Sequence, residues 1–225
     1  MDTFVAGVCR AAIEAFEVTG PILEVGAYVV EDQDHVAGVR QSLQEKLYVG
    51  VDVRRGPGVD SIEDTEKLPH RDHIFGTVIA LNCLEHVQRF WVAVEEIERV
   101  LRPDGLIIMS CPFYFRIHSF PNDYWRFTPE AFRVLLDKFP SKIIGWRGPK
   151  KRPLNVWAVA AGPDYPPITD EQHARFRRLI RSYARQPLIW RKRFRYRVGR
   201  LLCGRRPFSI FLEAEDFDTV LINGR

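Results

Sequence analysis

The stretch CPFYFRIHSFPNDYWRFTPE, residues 111–130, places an imidazole, His118, five residues before a carboxylate, Asp123. Around them it gathers Tyr114, Tyr124, Trp125 and Arg126. An imidazole titrates near neutrality, so His118 suits a general base that takes the proton of a hydroxyl, with Asp123 orienting either the ring or the hydroxyl. The mix of aromatic and polar side chains suits a sugar or a phenolic ring. A purely structural reading stands beside this one. His118 is then a loop residue, Asp123 bonds its own turn backbone, and Tyr124-Trp125-Arg126-Phe127 packs under the loop with Arg126 paired to a carboxylate.

A second group lies in ILEVGAYVVEDQD, residues 22–34, where an apolar strand ends at Gly26 after Glu24. Asp52 ends the next such strand, in YVGVDVRRGPGVD. In an open α/β sheet a ligand binds beyond the carboxyl ends of the strands, next to the first one, and a carboxylate there can accept bonds from both hydroxyls of a ribose. Asp52 is equally a helix-cap or turn residue by type. A dinucleotide fold needs a second glycine so that its backbone can approach a pyrophosphate. Here Tyr28 stands in that place, and Glu31-Asp32-Gln33-Asp34 follow, which would repel phosphate. A cofactor with a ribose, an adenine and a cationic head tolerates those acids.

Metal chemistry is less evident. His70-Arg71-Asp72-His73 carries metal-capable groups but lies between elements and reads as solvated surface. A magnesium ion held by acids of the 111–130 loop and the fourth-strand end is an alternative way to lower a hydroxyl pKa, but no ligand set can be read. Glu85 and His86 read either as a helix start or as catalytic groups.

The elements that must position these residues alternate. ILEV (22–25), LYVGV (47–51), TVIAL (77–81) and LIIMSC (106–111) are near-continuous apolar runs, as in strands covered on both faces. FWVAVEEIERVL (90–101) has helical periodicity and stops at Pro103-Asp104-Gly105; TPEAFRVLLDKF (128–139) is a helix with Thr128 as its cap and Pro129 in its first turn. KIIGWRG (142–148) and NVWAVAAG (155–162), joined by a short basic loop, should pair antiparallel. The expected fold is α/β, a Rossmann-like three-layer sandwich with a mostly parallel seven-stranded sheet and a terminal antiparallel hairpin. It spans residues 1–165, and residues 166–225 form a basic helical extension that folds back.

In this order of motifs the chain resembles the class I S-adenosylmethionine-dependent methyltransferases of the type 11-like group, over most of residues 20–162. ILEVG resembles their first motif, VIALNCLEHV (78–87) their fourth-strand motif, and RVLRPDGLIIMSCPF (99–113) their fifth-strand motif. Tyr28 and Val30 stand where most members have glycines. The resemblance implies that S-adenosylmethionine is bound by Glu24, Gly26, Ala27, Asp52, Asn82 and Leu84, with Asp64 of EDTEKLP at the adenine amino group. It implies an acceptor near Tyr114, Tyr124, Trp125, Arg126 and His86. Methyl transfer from a sulfonium needs an aligned acceptor and, for a hydroxyl, a base. An O-methyltransferase of a polar small molecule, a saccharide or glycoside by preference, is the expected function. An RNA methyltransferase and a non-catalytic relative of the fold are the alternatives.

Charge is unevenly spread. Residues 173–206 hold 13 Lys or Arg and no acid, which leaves 20 basic against 29 acidic residues elsewhere. Within that segment Phe176, Leu179, Ile180 and Tyr183 fall on one helical face, and Pro187 separates them from Trp190, Phe194 and Val198. Packing on the acidic body or on a second copy, contact with an anionic membrane surface, and contact with nucleic acid all fit. FSIFLEAEDFDTVLI (208–222) suggests that the tail folds back. No apolar run approaches the about 20 residues that span a membrane. Cys9, Cys83, Cys111 and Cys203 are scattered and the N-terminus lacks a signal-peptide pattern, so a cytoplasmic setting is expected.

Overall fold

A computed structural model describes residues 3–30, 40, 43, 46–118, 122–184, 190–203 and 216–224. The acids at 31–34, Pro187 and the first half of the 208–222 stretch lie outside the described residues. Among the described residues eight strands form one sheet: β1 (Ile22–Val25), β2 (Tyr48–Asp52), β3 (Ser61–Ile62), β4 (Phe75–Leu81), β5 (Leu101–Pro112), β6 (Ser141–Arg147), β7 (Asn155–Ala161) and β8 (Phe217–Asn223). Their order is β3-β2-β1-β4-β5-β7-β6-β8. Neighbours from β3 through β5 are parallel, and the β5-β7, β7-β6 and β6-β8 pairs are antiparallel.

Helices α1 (Thr3–Ala15) and α4 (Asp170–Tyr183) cover one face of the sheet, while α2 (Phe90–Val100) and α3 (Pro129–Leu135) cover the other. Alternation along β5 feeds both layers. Leu106 and Ile108 pack on the α1 side, and Ile107, Met109 and Cys111 on the α2 side. Since both faces are apolar and buried, strands β4 and β7 are buried along their whole length. Thr128 caps α3 by accepting a 3.0 Å bond from the Ala131 N–H, with Pro129 in the first turn, as the sequence suggests.

Three differences from the expectation have physical reasons. The sheet has eight strands, because Phe217–Asn223 returns to pair with β6 from Ser141↔Asn223 to Arg147↔Phe217. Strand β5 begins at Leu101, so Pro103-Asp104-Gly105 lies inside its span; the register against β4 shifts there, between Phe75 and Thr77. The basic segment does not behave as one unit. In α4, Phe176 and Ile180 are fully buried against α1, and Leu179 and Tyr183 pack around them. In α5 (Trp190–Cys203), Trp190, Phe194, Leu201 and Leu202 are exposed. No helix among the described residues is long and apolar enough to cross a membrane.

Candidate active site

The carboxyl ends of β2, β1, β4 and β5 lie side by side, and the sequence-predicted residues sort around them. Gly26 turns the chain out of β1 with φ +73°, and a Cβ there would lie 2.8 Å from that of Cys83. Glycine is therefore required by both conformation and space. The N–H groups of Gly26 and Ala27 both donate to the Val51 carbonyl, which ties this turn to the end of β2. Asp52, almost buried, accepts bonds at Oδ1 from the Arg54 N–H (2.9 Å) and Nε (3.3 Å). Its Oδ2 has no hydrogen bond among the described residues, which suits a ribose hydroxyl.

Tyr28 is accommodated by its neighbours. Its ring rests on Gly56, where any Cβ would lie 2.2 Å from it, and Arg54 stacks 4.2 Å over the ring centroid. Gly56 and Arg54 thus seat the tyrosine beside Asp52, a compensation that the sequence reading missed. Its only signal is the GPG run at 56–58.

Glu24 is placed elsewhere. Its carboxylate accepts a bond from the Tyr48 hydroxyl within the layer under α1, and burial raises its pKa. Asp64 is exposed and Oδ1 accepts the Glu66 N–H at 2.9 Å, a turn bond. Leu84 is a core residue. Asn82 adopts φ +51°, a left-handed conformation that asparagine tolerates. Bonds from its N–H to the Ser110 carbonyl (2.8 Å) and from Ser110 Oγ to its Oδ1 (2.9 Å) fix it between β4 and β5. Left-handed Asn82 turns the chain into one turn of 3₁₀ helix, Leu84–His86.

That turn and the 111–130 loop are knitted together. The Tyr124 and Trp125 N–H groups donate to the Glu85 carbonyl at 2.8 and 3.3 Å, and the Trp125 indole N–H donates to the Val87 (3.0 Å) and Gln88 (3.2 Å) carbonyls. His86 Nδ1 bonds the Asn122 carbonyl. Trp125 also packs edge-on against Phe90. As a result His86 and His118 lie with ring centroids 4.8 Å apart.

Asp123 is the centre of this loop. Arg126 grips both of its oxygens, and its Oδ2 also accepts the His118 N–H (2.8 Å) and pairs with His118 Nδ1 (2.9 Å). The Arg126 guanidinium holds the Asp123 carboxyl well below the usual carboxylate range. An ionised Asp123 fixes the tautomer of His118 with the proton on Nδ1 and the lone pair on Nε2. Glu85 is fully buried, and burial pushes its pKa up to about 8. Neither of its oxygens has a hydrogen-bond partner of ordinary geometry. The Cys111 thiol lies beside it, and His86 Nε2 stands 3.8 Å from Oε1. Burial lowers the His86 pKa, which favours the neutral ring.

Tyr114 and Tyr124 are exposed at this mouth, with Arg152 5.2 Å over the Tyr114 ring. Trp125 and Arg126 are engaged within the protein as just described. The histidines of residues 70–73 are dispersed: His70 pairs with Glu63 at 2.9 Å, and His73 Nδ1 bonds the Leu101 carbonyl at 2.9 Å. Among the described residues, the metal-capable groups that converge are Glu85, His86 and His118.

Residues 35–109 match the family described as methyltransferase domain. No curated protein matches the chain. Its fold is similar to that of Burkholderia thailandensis 1,6-didemethyltoxoflavin-N1-methyltransferase, solved with its substrate and S-adenosylhomocysteine, at 20% identity over 71% of this chain and 77% of that one (TM-score 0.52). An S-adenosylmethionine-dependent methyltransferase of Thermotoga maritima is similar at 15% identity over 71% and 89% (TM-score 0.51). One of Archaeoglobus fulgidus is similar at 14% identity over 70% and 92% (TM-score 0.53).

Proposed function

We propose that this chain is a class I S-adenosylmethionine-dependent methyltransferase, supported by its methyltransferase-domain match and fold, and that it moves the methyl group onto a hydroxyl oxygen of a polar small molecule, with a saccharide or glycoside preferred. S-adenosylmethionine supplies a methyl group on a sulfonium, an already activated leaving group. The residues fit it: Asp52 has Oδ2 to offer to the ribose, Gly26 and Ala27 form a turn without bulk, and Asn82 is held at the end of β4, while Leu84 supports the site from the core and exposed Asp64 is the candidate for the adenine amino group. Glu24 acts behind this shell, by accepting the hydroxyl bond of Tyr48 on the neighbouring β2.

The observation that carries the oxygen preference is the 2.9 Å contact of His118 Nδ1 with an Asp123 that is itself gripped by Arg126. An imidazole oriented in this way is equipped to take the acceptor proton at Nε2 as the oxygen attacks, and the neighbouring carboxylate stabilises the imidazolium that forms. Tyr114 and Tyr124 are exposed and offer aromatic surface on which a sugar ring can rest. His86 lines the same side. The B. thailandensis neighbour methylates a nitrogen. That leaves the fold neutral on the acceptor atom and rests the oxygen preference on this dyad alone.

The test is the pH dependence of turnover. His118→Ala should lower kcat by about 10²–10⁴-fold and abolish the fall in rate toward acid pH. Unchanged turnover with an unchanged profile removes His118 as base. Calorimetric titration with S-adenosylhomocysteine should show binding that Asp52→Ala weakens tenfold or more. A second reading, RNA methylation, draws on α5, where exposed Trp190 and Phe194 stand among arginines. It requires an RNA affinity that falls steeply with salt. The same helix suits an anionic membrane surface or a second copy.

A further inference from the structure

The geometry points to a site for a divalent transition-metal ion of the zinc class, ligated by Glu85, His86 and His118 beyond the carboxyl ends of β4 and β5. Each of the three offers a ligand atom within 4.8 Å of those of the other two, and Glu85 Oε1 and His86 Nε2 are already 3.8 Å apart. Ligands at about 2.0–2.2 Å from a tetrahedral ion stand about 3.4 Å from one another, so a contraction on the order of 1 Å completes the set.

Three independent features support a cation here over an accidental cluster. Glu85 is a fully buried carboxylate whose oxygens have no hydrogen-bond partner of ordinary geometry, with the weakly donating Cys111 thiol beside them, and the group nearest to it in this cluster is an imidazole nitrogen. Buried carboxylates ordinarily find a donor or an ion, because an uncompensated one is costly. The second feature is the outer shell. His86 Nδ1 is bonded to the Asn122 backbone carbonyl and His118 Nδ1 to the Asp123 carboxylate, so each ring is oriented with its Nε2 lone pair as the ligand. This arrangement, a carboxylate or carbonyl behind each histidine, is the one that fixes metal-binding imidazoles. The third is the ligand chemistry: two imidazoles and one carboxylate suit zinc, cobalt or iron(II), whereas magnesium prefers oxygen ligands. Three protein ligands leave at least one coordination position for water or an acceptor oxygen.

The ion and the acceptor proton compete for the same nitrogen. With the ion bound, the His118 lone pair is a ligand and no longer a base, and lowering of the hydroxyl pKa then falls to the ion. Metal content would thus select between two ways of activating one acceptor.

The experiment is titration of the purified, chelator-treated full chain with Co²⁺ followed by visible absorption, and with Zn²⁺ in competition. One equivalent per chain should bind, with the absorption expected of nitrogen and oxygen ligation. His86→Ala and His118→Ala should each weaken binding tenfold or more. Asp123→Asn, which keeps all three ligands, should weaken it by about 10–100-fold through the His118 ring. Glu85→Gln, nearly isosteric, covers the case in which a histidine variant fails to fold, and it should also lose the site. His73→Ala, outside the cluster, should bind as the wild type does. No saturable binding by the folded wild type overturns the proposal, as does equal affinity in the ligand variants. No acceptor or methyl donor is present, so this outcome is separable from the fate of the His118 base reading.

Discussion

Asp123 shows how one side chain organises a loop. It accepts from the His118 backbone and pairs with the His118 ring, and Arg126 neutralises it from the other side. The five-residue spacing of His118 and Asp123 made this pair legible in the sequence, since a turn of that length returns the chain on itself. Glu85 was legible as a helix start or a catalytic group, but its burial was not. Its burial and its orphaned oxygens depend on β5 and on a loop roughly 40 residues further along the chain, and no local pattern reports that. Glu24 carries a prediction at this scale. Burial raises its pKa in the folded state, so the folded protein holds the proton more tightly than the unfolded chain does. The protonated form's stabilising contribution is complete below the ordinary glutamate value of about 4.3 and is lost as pH rises through the folded value. Glu24→Gln, which can still accept from Tyr48, should remove this loss. Melting temperatures measured across pH should therefore fall less steeply toward neutral pH in the variant than in the wild type.

At the scale of elements, α1 and α4 touch through a gap that admits no side chain. A Cβ on Gly7 would lie 2.6 Å from the Ala184 Cα, a backbone atom that cannot rotate away. Gly7→Val should force the two helices apart and destabilise the protein by about 1–3 kcal/mol, read as a lower denaturant midpoint. Thr128→Ala should cost about 1 kcal/mol by leaving the Ala131 N–H without its cap. The main strands and the helices α2 and α3 were legible because their apolar periodicity agrees with their surroundings. Strand β3 was not, since two residues carry no period. Strand β8 was hidden for another reason: FDTVLIN continues an acidic and apolar run after the basic stretch, and its pairing with β6 is what makes it a strand. The basic stretch itself looked uniform in composition. Its two helices differ because Phe176 and Ile180 find α1, whereas Trp190 and Phe194 remain exposed.

At the scale of the whole molecule, β8 closes one side of the sheet. Ser141 Oγ bonds Asn223 Oδ1 at 2.6 Å, Asn223 Nδ2 donates to the Ile168 carbonyl at 3.1 Å, and His173 Nε2 meets Thr219 Oγ1 at 2.8 Å. Removing residues 216–225 should expose the ladder groups of β6 and promote edge-to-edge association, seen as a larger mass by light scattering. An unchanged mass and melting temperature would mean that β8 guards nothing. The pairing also fixes a timetable for biosynthesis. The partner of Ser141 is 82 residues further along the chain. At roughly 5–20 residues per second a ribosome needs several seconds to deliver it. For that interval the nascent sheet carries a bare margin beside an emerging arginine-rich segment, so a chaperone that shields strand edges, or the anionic surface of the ribosome itself, would have its opportunity then.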